Sequence, residues 1–149
     1  MVITLNKLNG ILEYFVEQKG ILRLFVRVLD LNSEVKQNQI SVLLLEDSAF
    51  ATHLLHQTLQ LGFKESNIVV ATKLEGVCNA FESKILKIDK DNLFARLILE
   101  FKYAEKGVIN ALCALDFIKN NGLNVGDSIL WHIPESEIML FLDNKNLQS

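Results

Sequence analysis

The sequence predicts a mainly all-β fold made of two small, closed or nearly closed barrels in tandem, each with one short helix or helical turn. Three observations support this prediction. Segments in which apolar and polar residues alternate dominate the chain, only two short stretches have helical spacing, and the order of these elements recurs in the second half. Closure into a barrel hides the edges of short strands, so small barrels suit this pattern.

Two segments carry the clearest strand pattern. In residues 22–28 every second residue is apolar, while Arg23 and Arg27 point to the opposite face. Residues 93–102 repeat the pattern, with Arg96, Glu100 and Lys102 on the outer face. Shorter strands are predicted at residues 10–17, 40–45, 68–72, 84–88, 108–114, 128–133 and 138–142.

One helix is predicted after residue 46. Asp47 or Ser48 can serve as its N-cap, and Gly62 suits the position that follows a helix C-terminus. Between these ends the apolar side of the helix would consist of Phe50, Leu54, Leu55, Thr58 and Leu61. A shorter helical turn, Asp116 to Asn121, ends in the same way at Gly122.

The two halves of the chain begin and end on similar segments. Asn6–Gly10 opens the first half and Asn79–Ser83 the second, 73 positions later. Each opening leads through strands and a helical turn to a glycine-containing segment, which we match as residues 62–73 and 122–133. We therefore predict two units, residues 1–74 and 75–149.

Composition narrows the function classes. Of the 149 residues 50% are hydrophobic and 22% charged, and the net charge is −3, which lacks the basic footprint of a nucleic-acid-binding protein. The sequence has no apolar run long enough to span a membrane and no secretory signal, so a cytoplasmic protein is expected.

Cys78 and Cys113 lack CxxC spacing, and His53 and His56 lack further zinc ligands, so no metal site is predicted. No nucleophile–base set, P-loop or dinucleotide-binding turn is present, so an enzyme is not expected.

The segment GLNVGDSILWHIPESEIML, residues 122–140, resembles the closing stretch of the molybdate-binding Mop and TOBE domains. That stretch reads G-L-x-x-G-D-x-V, an alternating strand, a Lys or Pro turn, and E-V-x-L. Residues 62–73 give a weaker version that ends in Lys73. The openings resemble the family box S-A-R-N-x-L-x-G at Asn6, Leu8 and Gly10, and at Asn79 and Phe81, where Ser83 replaces the glycine. Over roughly the whole chain, the sequence is similar to tandem Mop/TOBE (di-Mop) proteins, that is, to two-repeat molbindins and to the ligand-binding half of the molybdate-responsive regulator.

The resemblance implies two OB-like barrels that bind molybdate or tungstate, with no other cofactor. In the family such sites form where the opening box meets the closing lysine turn, commonly across a subunit interface. A selective site for a dianion needs converging amide, hydroxyl and backbone donors and no facing carboxylate. The candidate oxyanion-binding residues are Thr4, Asn6, Lys7, Thr72 and Lys73 in the first unit and Asn79, Ser83 and Ser136 in the second.

The chain departs from the family pattern at several donors. Ile3 and Leu5 replace the Ser and Arg of the first opening box, Gly76 and Cys78 replace them in the second, and Pro134 replaces the second closing lysine. Asn6 and Asn79 can instead cap turns through backbone hydrogen bonds, and Lys73 can be an ordinary solvated strand end.

Two functions remain open. The first is oxyanion binding for intracellular molybdenum storage, buffering or transport-linked homeostasis, with a molybdate transporter or regulatory protein as a further partner. The alternative is a ligand-free protein-interaction or regulatory module that keeps the TOBE fold. Two small barrels cannot hide so high an apolar fraction, so a homo-oligomer, dimer or trimer, is expected.

Overall fold

The computed structural model describes residues 5–29 and 39–142, together with the backbone of residues 145–146. The candidate Thr4 lies outside the described residues. The described chain is mostly β, which confirms the mainly all-β prediction. The strands are β1 (Leu5–Gln18), β2 (Ile21–Val28), β3 (Gln39–Leu44), β4 (Thr58–Lys64), β5 (Val69–Ala71), β6 (Ala80–Lys90), β7 (Phe94–Glu100), β8 (Val108–Ala114), β9 (Ser128–His132), β10 (Met139–Leu142) and β11 (Lys145–Asn146).

Two short α-helices and two 3-10 turns complete the described elements. Helix α1 (Ser48–Thr52) lies between β3 and β4, and α2 (Leu115–Asn120) lies between β8 and β9. The 3-10 turns, Glu65–Asn67 and Glu135–Glu137, follow β4 and β9. The element order of the first half, from β1 to β5, is thus repeated from β6 to β10.

The helix expected from residue 47 to residue 61 is wrong in its second half. Asp47 does cap α1 by accepting a hydrogen bond from the backbone N–H of Phe50, but α1 ends at Thr52. Residues 58–64 form β4, because Leu59, Leu61 and Phe63 alternate into the core and pair with β1. Gly62 is therefore a strand residue packed under the ring of Phe141, not a helix stop. The second helical turn is confirmed, and Gly122 follows it with a positive φ of 58°.

The strands form two curled antiparallel sheets that exchange their final strands. One sheet has the order β11-β10-β4-β1-β2-β3 and the other β5-β9-β6-β7-β8. Strand β10 thus pairs with β4 of the first half, and β5 pairs with β9 of the second half. Each sheet is completed by a strand from the opposite half of the chain. The predicted division at residue 74 stays a prediction, and this exchange crosses it in both directions.

The strand ladders define which residues of the two halves correspond. Asn6 lies opposite Phe63 in the β1–β4 ladder, and Asn79 exchanges hydrogen bonds with Ile133 at the end of the β6–β9 ladder. Phe63 therefore corresponds to Ile133 and Glu65 to Glu135, an offset of 70 positions. The matching of residues 62–73 with residues 122–133 is wrong, because a shared glycine does not fix strand register when the preceding loops differ in length.

The core is apolar and continuous through both sheets. Its largest fully buried side chain is Trp131, whose ring lies 4.8 Å from the ring of Phe81 and 5.0 Å from that of Phe101, measured between centroids. The indole N–H of Trp131 donates to the hydroxyl of Ser83 at 3.0 Å, so the one polar atom of this ring is satisfied within the core.

Candidate functional site

Two equivalent regions join the halves of the chain. The first junction consists of Leu5, Asn6, Glu65, Arg96 and Asn110, and the second of Cys78, Asn79, Glu135, Arg23 and Ser41. In each, a 3-10 turn packs against the edge strand of the opposite half: Glu65–Asn67 against β8, and Glu135–Glu137 against β3. Each junction therefore collects polar side chains from both halves.

An asparagine lies at the centre of each junction. Asn6 donates to the carbonyl of Asn110 at 2.9 Å and accepts from its N–H at 2.8 Å. Asn79 donates to the carbonyls of Ser41 and Ile133 and accepts from the N–H of Ser41 at 2.9 Å. Both amides thus complete the hydrogen bonding of an edge strand in the opposite half. Sequence reasoning gave Asn6 and Asn79 two roles, donors to an anion or caps of a local turn, and this bonding between the halves is a third.

An arginine–glutamate pair lies beside each asparagine. Arg96 holds Glu65 with two hydrogen bonds of 2.8 Å. Arg23 holds Glu135 through Nε at 2.8 Å and Nη2 at 3.1 Å. Both glutamate side chains are largely buried, with exposed fractions of 15% and 13%. A planar guanidinium that meets a carboxylate in this two-point geometry recognises it strongly.

The second junction brings more donors to its carboxylate than the arginine alone. The thiol of Cys78 lies 2.8 Å from Oε1 of Glu135, whereas the hydroxyl of Ser41 donates to Oδ1 of Asn79 at 3.5 Å. Burial raises the pKa of Glu135, but the interactions with Arg23, Cys78 and Ser41 outweigh burial and the net pKa is lowered. In the first junction Leu5 and Asn110 take the places of Cys78 and Ser41, so the thiol and the hydroxyl are specific to the second.

Arg23 is also positioned from its own sheet. Its guanidinium carbon lies 5.0 Å from the centre of the Phe25 ring, and Phe25 stacks on Tyr14 with ring centroids 4.3 Å apart. A surface groove of about 380 Å³ runs past Arg23, Phe25 and Lys19 on the outer face of β1, β2 and β3. The groove gives Arg23 an approach from solvent.

The structure separates most of the other predicted site residues from the junctions. Ser83 is buried against Trp131 in the core, and Lys7 lies exposed on β1. Thr72 and Lys73 are exposed beyond the end of β5, where Lys73 pairs with Glu75 at 3.2 Å. Ser136 is exposed next to Glu135 in the 3-10 turn, so it is the predicted hydroxyl that lies at a junction. In the strand ladders the residue that corresponds to Pro134 is Lys64, not Lys73.

A second cavity, of about 570 Å³, lies along β6 and residues 100–103. Its lining carries the carboxylates of Glu82 and Glu100 as well as Lys84 and Lys102, so it does not favour an anion. Across the described ranges, 5–29 and 39–142, no group of three or more His, Cys, Asp or Glu side chains could hold a metal ion. The same ranges contain no helix long and apolar enough to cross a membrane.

Sequence reasoning missed the arginine–glutamate pairs. Their signal was present, since Arg23 and Arg96 are 73 positions apart and the dipeptide Glu-Ser occurs at residues 65 and 135. The same charged residue at the same point of two repeats is a stronger indication than a charged residue that occurs once.

Comparison with known proteins identifies the fold. No protein-family model matches the chain, and no curated protein matches it in sequence. A solved structure that matches is described as the cytoplasmic molybdate-binding protein ModG, in a form with molybdate bound. The TM-score is 0.78 over 92% of this chain and 95% of that chain, with 14% sequence identity. The likeness shows that the chain has the fold of that protein, and two curled sheets with few short helices agree with the predicted pair of OB-like units.

Proposed function

We propose that the chain binds a tetrahedral oxyanion, molybdate or tungstate, chiefly at the second junction, and that it acts as a binding protein rather than an enzyme. The observation that carries this proposal is the convergence of Arg23 and Cys78 on one anionic group. A guanidinium and a thiol from separate segments are donors that an unprotonated dianion can share. A net charge of −3 does not oppose binding, because the local donors determine the potential that an ion meets.

The fold supports the choice of ligand. The structural neighbour is a cytoplasmic molybdate-binding protein, and the resemblance in the openings and closing stretch points to the same family. We accordingly assign the chain to intracellular molybdenum storage, buffering or transport-linked homeostasis in the cytoplasm. We include Ser136, exposed beside Glu135, as a further hydroxyl of the proposed site.

Calorimetric titration with molybdate, tungstate and sulfate tests the proposal. We expect micromolar or tighter binding of molybdate and much weaker binding of sulfate. Cys78→Ala should weaken the binding of molybdate, because it removes one donor from the second junction. Lys73→Ala, compared with the exposed control Lys106→Ala, tests whether the sequence-predicted lysine takes part. No heat with either metal oxyanion would refute the proposal.

A second function, a ligand-free interaction module, is favoured by one observation. Glu65 and Glu135 already neutralise the arginines of both junctions. The exposed Tyr14, Val16 and Ile21 on the outer sheet face would then serve a protein contact. A crystal soaked in molybdate distinguishes the functions, since an anomalous peak at a junction supports oxyanion binding and its absence supports the module.

The same exposed apolar residues support a homo-oligomer, either a dimer or a trimer. We also propose that the chain contacts a molybdate transporter or a regulatory protein. Sedimentation velocity at tens of micromolar tests self-association, and a clean monomer would contradict it.

A further inference from the structure

The carboxylate of Glu135 already occupies the donor set of the second junction. It accepts two hydrogen bonds from Arg23 and one from Cys78, and its side chain is 13% exposed. The donors come from β2 and the segment before β6, whereas the carboxylate comes from the 3-10 turn after β9. One side chain of the protein therefore takes the place that an external anion would need.

A carboxylate and a tetrahedral oxyanion compete for such donors because both present oxygens that carry negative charge. Both cannot lie at the same donors, since their charges repel and their oxygens fill the same space. Phe25 lies beneath the guanidinium of Arg23 and supports it independently of Glu135. Glu135 lies in a three-residue turn next to the exposed Ser136, and we expect a change of its rotamer to move the carboxylate toward solvent.

We propose that Glu135 is an internal competitor for the oxyanion: the Arg23 and Cys78 donors bind Glu135 when the ligand is absent and the oxyanion when the Glu135 side chain moves out of the junction. The inference rests on the proposed function and adds its regulation. Affinity then depends on how firmly the protein holds its own carboxylate, so the site releases its ligand more readily than its donor set alone would allow.

The test compares molybdate affinity in the wild-type chain and in Glu135→Ala by calorimetric titration. We expect binding at least tenfold tighter in Glu135→Ala, because the donors no longer have an internal partner. Glu135→Gln should change affinity in the same direction by a smaller factor, since an amide keeps the shape and loses the charge. Glu135→Gln also serves if the alanine variant fails to fold. The double variant Arg23→Ala with Glu135→Ala should lose the gain.

Glu137→Ala is the matched control. Glu137 lies in the same turn, is exposed and bonds Asn67 at 3.2 Å instead of Arg23, so its removal changes net charge equally and leaves the donors occupied. Its molybdate affinity should stay within about twofold of wild type. An equal gain in Glu137→Ala would overturn the inference and indicate a general effect of net charge.

The remaining outcomes separate the inference from the proposed function. Wild-type binding that Glu135→Ala and Glu135→Gln fail to strengthen would overturn the inference and leave oxyanion binding intact. Binding by Glu135→Ala alone would support the internal competitor and assign the wild-type chain to the ligand-free module. No binding by any folded variant would overturn both.

Discussion

Asn79→Ala is expected to destabilise the protein more than an ordinary buried substitution. The side chain of Asn79 is buried and makes three hydrogen bonds to backbone groups, two to Ser41 in the opposite half of the chain and one to the carbonyl of Ile133 in its own half. Ser41 lies on β3, an edge strand, so on this side no neighbouring strand can replace the lost bonds. Alanine would leave the backbone N–H of Ser41 without this acceptor, and the carbonyls of Ser41 and Ile133 without this donor.

The magnitude follows from the groups left unpaired. A buried donor without a partner costs about 1–3 kcal/mol, and the weakened carbonyls add to it. Asn79 also has a positive φ of 54°, a left-handed conformation that asparagine tolerates and that costs alanine about 1 kcal/mol more. The expected loss is about 3–5 kcal/mol, a large part of the ~5–15 kcal/mol by which a domain is stable.

Urea unfolding measures this loss. Trp131, the single tryptophan, is fully buried and reports on the core by fluorescence, while far-UV circular dichroism checks that both halves unfold together. Asn9→Ala on the exposed face of β1 is the control and should change the free energy of unfolding by less than about 0.5 kcal/mol. Asn6→Ala should lie between the two, since the Asn6 side chain makes two bonds, both to the backbone of Asn110, and its own backbone lies in a regular strand. A loss below about 1 kcal/mol for Asn79→Ala would refute the structural role assigned to its amide.

Two further predictions concern packing and acid stability. A Cβ at Gly10 would lie 2.5 Å from Cγ1 of Val26 and 2.9 Å from the carbonyl oxygen of Arg27, so Gly10→Ala should push β1 and β2 apart and cost about 1–3 kcal/mol in urea unfolding. Gly62→Ala meets only the movable ring of Phe141 and should cost less, and equal losses would contradict the account. The pKa of Glu135 is lowered from its ordinary 4.5, so its stabilisation is present above that value and is lost as the pH falls through the folded-state pKa. Between pH 6 and pH 3 the wild-type chain should therefore lose more stability than Glu135→Ala, and identical losses would show that the carboxylate contributes nothing.

Sequence patterns predicted the individual strands well. Residues 108–114 were placed at their observed bounds. Strands β2 and β7 were recovered because their apolar residues alternate with residues of the opposite face, where Arg23 and Arg96 lie. Strand β4 was missed because its segment fits two patterns equally well. The spacing of Leu54, Leu55, Thr58 and Leu61 is helical, and that of Leu59, Leu61 and Phe63 is typical of a strand. Pairing with β1 decides between the two, and that pairing is a long-range contact that local periodicity does not contain.

The site was predicted less completely than the fold. Asn6, Asn79 and Ser136 lie at the junctions, whereas Ser83 is part of the core and Lys73 is a solvated strand end. Arg23 was recognised only as the polar side of a strand, and Glu135 only as part of a motif. Their meeting depends on a turn from the second half reaching β2 and β3 of the first, a distance of 112 residues along the chain.

The sequence by itself determined the class of the fold, the duplicated order of elements and the balance of charge, because side-chain alternation and repetition are local properties of the chain. Only the tertiary structure decided that β5 and β10 complete sheets of the opposite half, and that a glutamate fills the donors of the second junction. The physical reason is that an edge strand and an anion site are both defined by which groups remain unpaired after packing. That property belongs to the assembled sheets and to no single segment.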